Sequence, residues 1–113
     1  MPQIDKQKLG RLTFFQKKVL AKIKKVPLGK VTTYQLLAKA INQPKAVRAV
    51  AQALKKNPNL IKVPCHRVVA AGGKLGGYVL GDWQKKKILA KEGIEFDQRQ
   101  KIKDFEKKLY HFD

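Results

Sequence analysis

The sequence is short of cysteine and of acid. Its 113 residues hold one cysteine, Cys65, which excludes an internal disulfide and suits a reducing compartment. One Cys and two His cannot close a four-ligand zinc site of the usual spacing, and neither a metal nor a cofactor is expected. No apolar run approaches the roughly 18 residues that span a bilayer. The opening Met1-Pro2-Gln3-Ile4-Asp5-Lys6 has no apolar signal core. The expected location is therefore the cytoplasm, or the nucleus in a eukaryote, with no membrane partner. Asp and Glu number 8 against 26 Lys and Arg, a formal charge of +18. That imbalance argues against a cation-binding protein. It points to a polyanionic partner, nucleic acid ahead of an anionic membrane surface. The basic residues are mostly lysine and run from Lys6 to Lys108, so the charge belongs to a fold rather than to a tail.

What is present suffices for one soluble domain: 43% of the residues are hydrophobic, and a chain of this length can bury a modest core. The chain divides into a lead-in over 1–13, a domain over 14–96 and a helical C-terminal extension over 97–113. Thr13-Phe14-Phe15-Gln16 has the capping-box form, and Phe15, Val19, Leu20, Ile23 and Val26 then share a helical face. Pro27-Leu28-Gly29 ends that helix. Val31-Thr32-Thr33-Tyr34 is short and β-rich, and Thr33 can cap the helix carrying Leu36, Leu37, Ala40 and Ile41. After the turn Asn42-Gln43-Pro44, a helix from Lys45 to Lys56 turns Val47, Val50, Ala51 and Leu54 inward. Two short helices and a tight turn in a basic chain read as a helix-turn-helix; a packed helical hairpin gives the same pattern.

Asn57-Pro58 stops the helix. Val68-Val69-Ala70 reads as a strand, Gly72-Gly73 as a hairpin turn and Lys74-Leu75 as the return strand. Asp82 can cap a helix that carries Ile88, Leu89 and Ala90 and ends at Gly93. Ile102, Phe105, Leu109 and Phe112 fall at helical spacing and predict a last, core-facing helix. The fold class is mainly α with a small β-hairpin, a single winged-helix-like domain with a helix-turn-helix.

Cys65 and His66 are adjacent in a Pro-led turn, before a cation and two β-branched residues. A thiol reacts as its thiolate; a neighbouring His, the positive field and a helix N-terminus would all favour that form. A lone Cys in an apolar stretch is otherwise an inert buried residue, and adjacency in sequence does not make two side chains face each other.

The longer string Pro64-Cys65-His66-Arg67-Val68-Val69 resembles the active-site signature of the O6-alkylguanine-DNA alkyltransferases, the methylated-DNA–protein-cysteine methyltransferases. Phe15-Gln16-Lys17-Lys18-Val19-Leu20 is similar to that family's opening helix. Gly29-Lys30-Val31-Thr32-Thr33-Tyr34 is similar to its Gly-x-Val-x-x-Tyr segment, and Lys45-Ala46-Val47-Arg48-Ala49-Val50 to its DNA-reading helix. Asn57-Pro58, Gly76-Gly77-Tyr78 and Lys91-Glu92-Gly93 also fall in place. The match spans about residues 14–95, in order and almost without gaps, and corresponds to the family's C-terminal DNA-binding and active-site domain, without its N-terminal domain.

The resemblance implies a DNA repair protein that flips O6-alkylguanine out of duplex DNA and transfers the alkyl group irreversibly to its own Cys65, once per molecule. It implies His66 as the base, acting through a water, Glu92 orienting it, Asn57 holding the turn, and Tyr34 pressing on a phosphate and bonding the leaving guanine. Minor-groove contact falls to Arg48, as a wedge, and to Thr33, Tyr34, Gln35, Ala46, Ala49, Ala51 and Gln52. The pocket falls to Tyr78, Val79, Gly77, Leu54 and Pro64. The protein is expected to act as a monomer on double-stranded DNA, with clustering along the duplex left open.

Taken singly, each residue has an ordinary reading: Arg48 a phosphate contact, Tyr34 a core-edge aromatic, Glu92 plain surface, Asn57 a helix stop, Tyr78 a packing anchor. The chain also departs from the family pattern. Val79 stands where Ser is frequent, which removes a hydroxyl donor. Ala51-Gln52 stand where Gly is common, and Gln52 is bulky for a minor-groove face. Asp82-Trp83 replace more typical residues. Two other functions compete: an alkyltransferase-like protein that binds lesions without transfer, a group in which Trp or Ala typically replaces the Cys, and a helix-turn-helix DNA-binding protein, which would leave the Pro-Cys-His-Arg string unexplained.

Overall fold

A computed structural model describes residues 12–112; of the lead-in read over 1–13, residues 1–11 lie outside the described residues. Helix α1 (Phe14–Ile23) begins at the reciprocal capping box: Gln16 N–H donates to Thr13 Oγ1 and Thr13 N–H to Gln16 Oε1, both at 3.0 Å. Val19, Leu20 and Ile23 are buried. The helix stops a turn earlier than its apolar stripe, because Lys25 and Val26 bond back to Lys22 and Ile23 in tighter turns that carry the chain into Pro27; Val26 is buried all the same.

Strand β1 (Thr32–Thr33) leads directly into α2 (Tyr34–Ala40), where Thr33 Oγ1 accepts from Leu36 N–H at 3.1 Å. A turn through Asn42, at φ 62°, joins α2 to α3 (Val47–Lys55). Helix α3 starts two residues later than the predicted Lys45, with Ala46 at its cap position. Helices α1, α2 and α3 pack on one another around Leu37, Ile41, Val50 and Leu54.

The chain then returns to pair strand β2 (Val68–Val69) beside β1, Thr32 opposite Val68 and Thr33 opposite Val69. This sheet is parallel, and the predicted hairpin is corrected: Val68 and Val69 are fully buried and pair with β1 across the α2–α3 crossover. Gly72 and Gly73 do turn the chain, at φ 75° and 85°, and Ala70 N–H reaches Lys74 O at 2.8 Å. The segment beyond, however, leaves to bridge Lys74 with Lys101.

Helix α4 (Asp82–Lys91) has Gly81, not Asp82, at its cap position; Asp82 sits in the first turn, where a carboxylate complements the helix dipole. The predicted end at Gly93 stands. Gly93 N–H bonds Ala90 O and Ile94 N–H bonds Leu89 O, with Gly93 at φ 84°, which is the glycine C-terminal cap. The predicted long final helix shrinks to one turn, α5 (Phe105–Lys108). Asp104, left-handed at φ 54°, blocks it on one side. On the other, Leu109 bridges Val31, and Tyr110 N–H donates to Val31 O at 2.7 Å. Ile102 still enters a second core with Val31, Val69, Leu89 and Ile94. The described residues are helix-rich with one small two-stranded parallel sheet. Among the described residues no helix is long and apolar enough to cross a membrane.

Candidate active site

Pro64 feeds a single 3-10 turn, Cys65–Arg67, which leads into β2. Three residues in a row therefore point three ways. Cys65 lines a cavity of about 270 Å³ with Tyr34, Ala51, Leu54, Lys55, Gly77, Tyr78 and Val79. His66 is fully buried behind it. Arg67 reaches across to the C-terminus of α4 and the end of α1.

Asn57, just past α3, holds this turn in place. Its Nδ2 donates to Val63 O at 2.7 Å and its Oδ1 accepts from Asn59 N–H at 2.9 Å. The loop is thus closed immediately before Pro64, and Cys65 N–H bonds Val63 O at 2.8 Å.

The C-terminal cap of α4 aims Glu92 at the same turn. Its Oε2 lies 3.0 Å from His66 Nε2, while Arg67 donates from Nε to Oε1 at 2.9 Å and from Nη2 to Oε2 at 3.0 Å. Arg67 Nη1 also donates to Val26 O at 2.8 Å, tying the relay to the end of α1. Burial alone would raise the Glu92 carboxyl, but its bonds to Arg67 and His66 outweigh this and hold it below the ordinary carboxylate range. Burial lowers the His66 imidazole, partly offset by Glu92, and favours the neutral ring. Glu92 accepts, so Nε2 carries the proton and Nδ1 is left as an acceptor. Nδ1 is buried and has no protein partner. Neither ring nitrogen bonds the Cys65 sulfur.

The expected thiolate-favouring surroundings of Cys65 are corrected. Burial pushes the thiol up, and the nearby Asn57 amide and the charge of Lys85 recover only part of that. The cause is the apolar cavity wall, which the sequence does not display. Burial likewise raises the Tyr34 hydroxyl, and raises Tyr78 to about 12. Tyr34 accepts from Gly77 N–H at 3.1 Å and approaches Gly77 O at 3.4 Å. The Tyr78 ring stands edge-on to His66, centroids 6.4 Å apart, and its hydroxyl has no protein partner.

The remaining predicted residues divide by exposure. Gln35, Arg48, Ala49 and Gln52 are exposed; Ala46 and Ala51 are half-buried. Thr33 is buried and its hydroxyl is committed to capping α2. Pro64 is buried and, against expectation, does not line the cavity. Sequence reasoning missed Lys55, Arg67 and Lys85. Arg67 stood inside the recognised string but reads as one more cation until Glu92 is beside it. Among the described residues no group of His, Cys, Asp and Glu could hold a metal ion.

Residues 14–94 match the family model described as "6-O-methylguanine DNA methyltransferase, DNA binding domain". The methylated-DNA–protein-cysteine methyltransferase of Methanosarcina acetivorans is 49% identical over 81 residues, 72% of this chain and 52% of that protein. The crystal structure of Mycobacterium tuberculosis OGT in complex with DNA is 43% identical with a TM-score of 0.71, covering 73% of this chain and 51% of that one. S. pombe Atl1, in complex with damaged DNA containing O6-carboxymethylguanine, is 28% identical with a TM-score of 0.73, covering 88% of this chain and 97% of that one. The chain thus spans about half the length of the first two.

Proposed function

The chain belongs to the family of 6-O-methylguanine DNA methyltransferase DNA-binding domains, and from that premise we propose that it repairs DNA by taking the alkyl group of O6-alkylguanine onto Cys65. The observation that carries this reading is a thiol on the wall of a cavity, backed by a neutral His that an ionised Glu92 orients. A nucleophile, a base and an orienting group are the parts covalent catalysis needs.

The exposed face of α3 and the start of α2 meet the minor groove, and Arg48 takes the place of the extruded nucleotide. Flipping costs a few kcal/mol, less for a mispaired base. The flipped guanine enters between Tyr34 and Tyr78, with its O6 substituent toward Cys65. His66 Nδ1 takes the thiol proton through a bridging water. As the S–C bond forms the C–O6 bond breaks, and the guanine keeps the electron pair. The Tyr34 hydroxyl stabilises the departing base. The thioether has no leaving route, so each molecule acts once.

One observation favours a second reading, lesion binding without transfer. The likeness to S. pombe Atl1 covers more of this chain than the likeness to M. tuberculosis OGT. Counting repaired O6-methylguanine against protein separates the two. Under transfer, loss of the lesion plateaus at one per active molecule, and Cys65→Ala abolishes it while still binding the duplex. Lesion loss that persists in Cys65→Ala contradicts the nucleophile, and tight binding with no loss in the wild type favours the second reading.

A further inference from the structure

Between Asp5 and Asp82 the chain holds no acidic residue. Cations in that stretch depend on distant carboxylates for partners. Among the described residues only Arg67 finds one, in Glu92. The other lysines and arginines stand unopposed, and they are not confined to α3.

Helix α1 carries the densest group of them. Phe14, Lys17, Lys18 and Ala21 make its exposed face, and Lys24 and Lys25, also exposed, continue it through the turns beyond. Lys24 and Lys25 complement the C-terminal end of the helix dipole. Lys17 and Lys18 gain nothing from it. Lys18 also stands four residues before Lys22, a spacing at which like charges repel and a Glu–Lys pair would stabilise. The chain pays for this face without an internal return, which points to a polyanion outside it.

A duplex held by α3 does not reach these lysines. Helices α1 and α3 pack on each other, and both bury their apolar sides in the core of Leu37, Ile41 and Val50. Their exposed faces therefore turn outward on different sides of that core. Two packed helices measure about 20 Å from outer face to outer face, about two Debye lengths at 0.1 M salt. Phosphates on one face are screened from cations on the other. An anionic membrane fits α1 less well than nucleic acid. A helix that lies in a membrane surface inserts its apolar face, and Val19, Leu20 and Ile23 are already buried in the core; Phe14 is the one large apolar side chain on the outer face.

We propose that the outer face of α1 is a second DNA-binding surface, on which Lys17, Lys18, Lys24 and Lys25 take the phosphates of a second duplex while α3 holds the first. One molecule then bridges two segments and passes between them without release. The inference rests on the reading of α3 as the face that meets the groove; it does not depend on alkyl transfer.

The test is sedimentation velocity of the full chain with a short undamaged duplex in excess. The wild type is expected to carry two duplexes per protein molecule. Four cations predict that uptake of the second weakens about 10²-fold between 50 and 200 mM salt. Joint Lys17→Gln, Lys18→Gln, Lys24→Gln and Lys25→Gln is expected to leave one duplex per molecule. Joint Lys87→Gln, Lys91→Gln, Arg99→Gln and Lys103→Gln removes the same charge from exposed positions elsewhere and should keep both. Thermal melting checks each fold; where the four-site variant does not fold, Lys17→Gln with Lys18→Gln is expected to lose most of the second duplex. A wild type that never exceeds one duplex overturns the proposal, as does a second duplex that survives in the folded α1 variant or is lost equally in the control. Complexes of two proteins with two duplexes assign bridging to protein contacts and overturn it. So does a wild type that holds one duplex yet floats, through the α1 lysines, with vesicles of equimolar phosphatidylserine and phosphatidylcholine. A protein that takes two duplexes but no methyl from O6-methylguanine refutes the proposed function and leaves the second surface standing; methyl transfer with one duplex per molecule does the reverse.

Discussion

Three consecutive side chains, Cys65, His66 and Arg67, enter three environments: an apolar cavity, a buried relay and an ion pair with Glu92. A 3-10 turn makes this possible, since its near three-fold repeat sends neighbours about a third of a circle apart. Glu92 is the shared partner, and its removal should show on two axes. Glu92→Gln is expected to slow alkyl transfer about 10²–10³-fold in a single-turnover assay, with lesion affinity retained. It should also be less stable at pH 7, as read by urea denaturation. The Glu92 carboxyl is held below its unfolded value, so its contribution is full above that value and is lost as pH falls through the folded one. The gap between wild type and Glu92→Gln should therefore shrink in acid; a gap of constant size at pH 7 and pH 3 would contradict the ion pair. Gly76 makes a steric prediction. At φ 71° an added Cβ would lie 2.8 Å from the Tyr34 hydroxyl. Gly76→Ala is expected to cost about 1–3 kcal/mol in thermal unfolding and to weaken lesion binding by displacing Tyr34. At this scale Cys65, His66, Asn57 and Glu92 could be picked out of the chain because the Pro64–Val69 string and the Asn57-Pro58 and Lys91-Glu92-Gly93 segments match one family's pattern in order. Arg67 and Lys85 could not. A partner 25 residues away and burial on a helix of lysines leave no local mark.

Among the elements, those defined by local chemistry are the ones the chain announces. Thr13 and Gln16 form the capping box their spacing predicts, Thr33 caps α2, and Gly93 closes α4. Pairing between distant segments is not announced. Gly72-Gly73 has the form of a hairpin turn, yet Val68-Val69 gains more by burying both faces beside Thr32-Thr33. Ile102, Phe105, Leu109 and Phe112 share helical spacing, yet the bonds between Val31 and the Lys108–Tyr110 backbone draw that segment out into extended form. Helix α3 carries its own test. Arg48 is exposed on it, and among the described residues no carboxylate pairs with it. Arg48→Ala is expected to reduce the preference for O6-methylguanine duplex over undamaged duplex by about 1–2 kcal/mol. Affinity for undamaged DNA should fall much less. Titrations of both duplexes by fluorescence anisotropy read the ratio, and an equal loss on both would reduce Arg48 to a phosphate contact.

Across the whole molecule, +18 on 113 residues is, on the proposed function, a grip on DNA without sequence preference. Phosphate contacts release counterions, so affinity for undamaged duplex should fall about 10³-fold between 50 and 200 mM salt. Transfer within the saturated complex depends instead on the Cys65 cavity and should not change over that range. Equal salt sensitivity of binding and of saturated transfer would place the lysines in the chemistry itself. The charge was plain from composition alone; that a thiol lies inside an apolar cavity was not. The most direct measurement is intact mass with peptide mapping after incubation with a duplex carrying O6-methylguanine. The predicted result is one methyl group per molecule, on Cys65, matched by an equal loss of lesion. A protein that binds the lesion tightly and returns with Cys65 unmodified would contradict it.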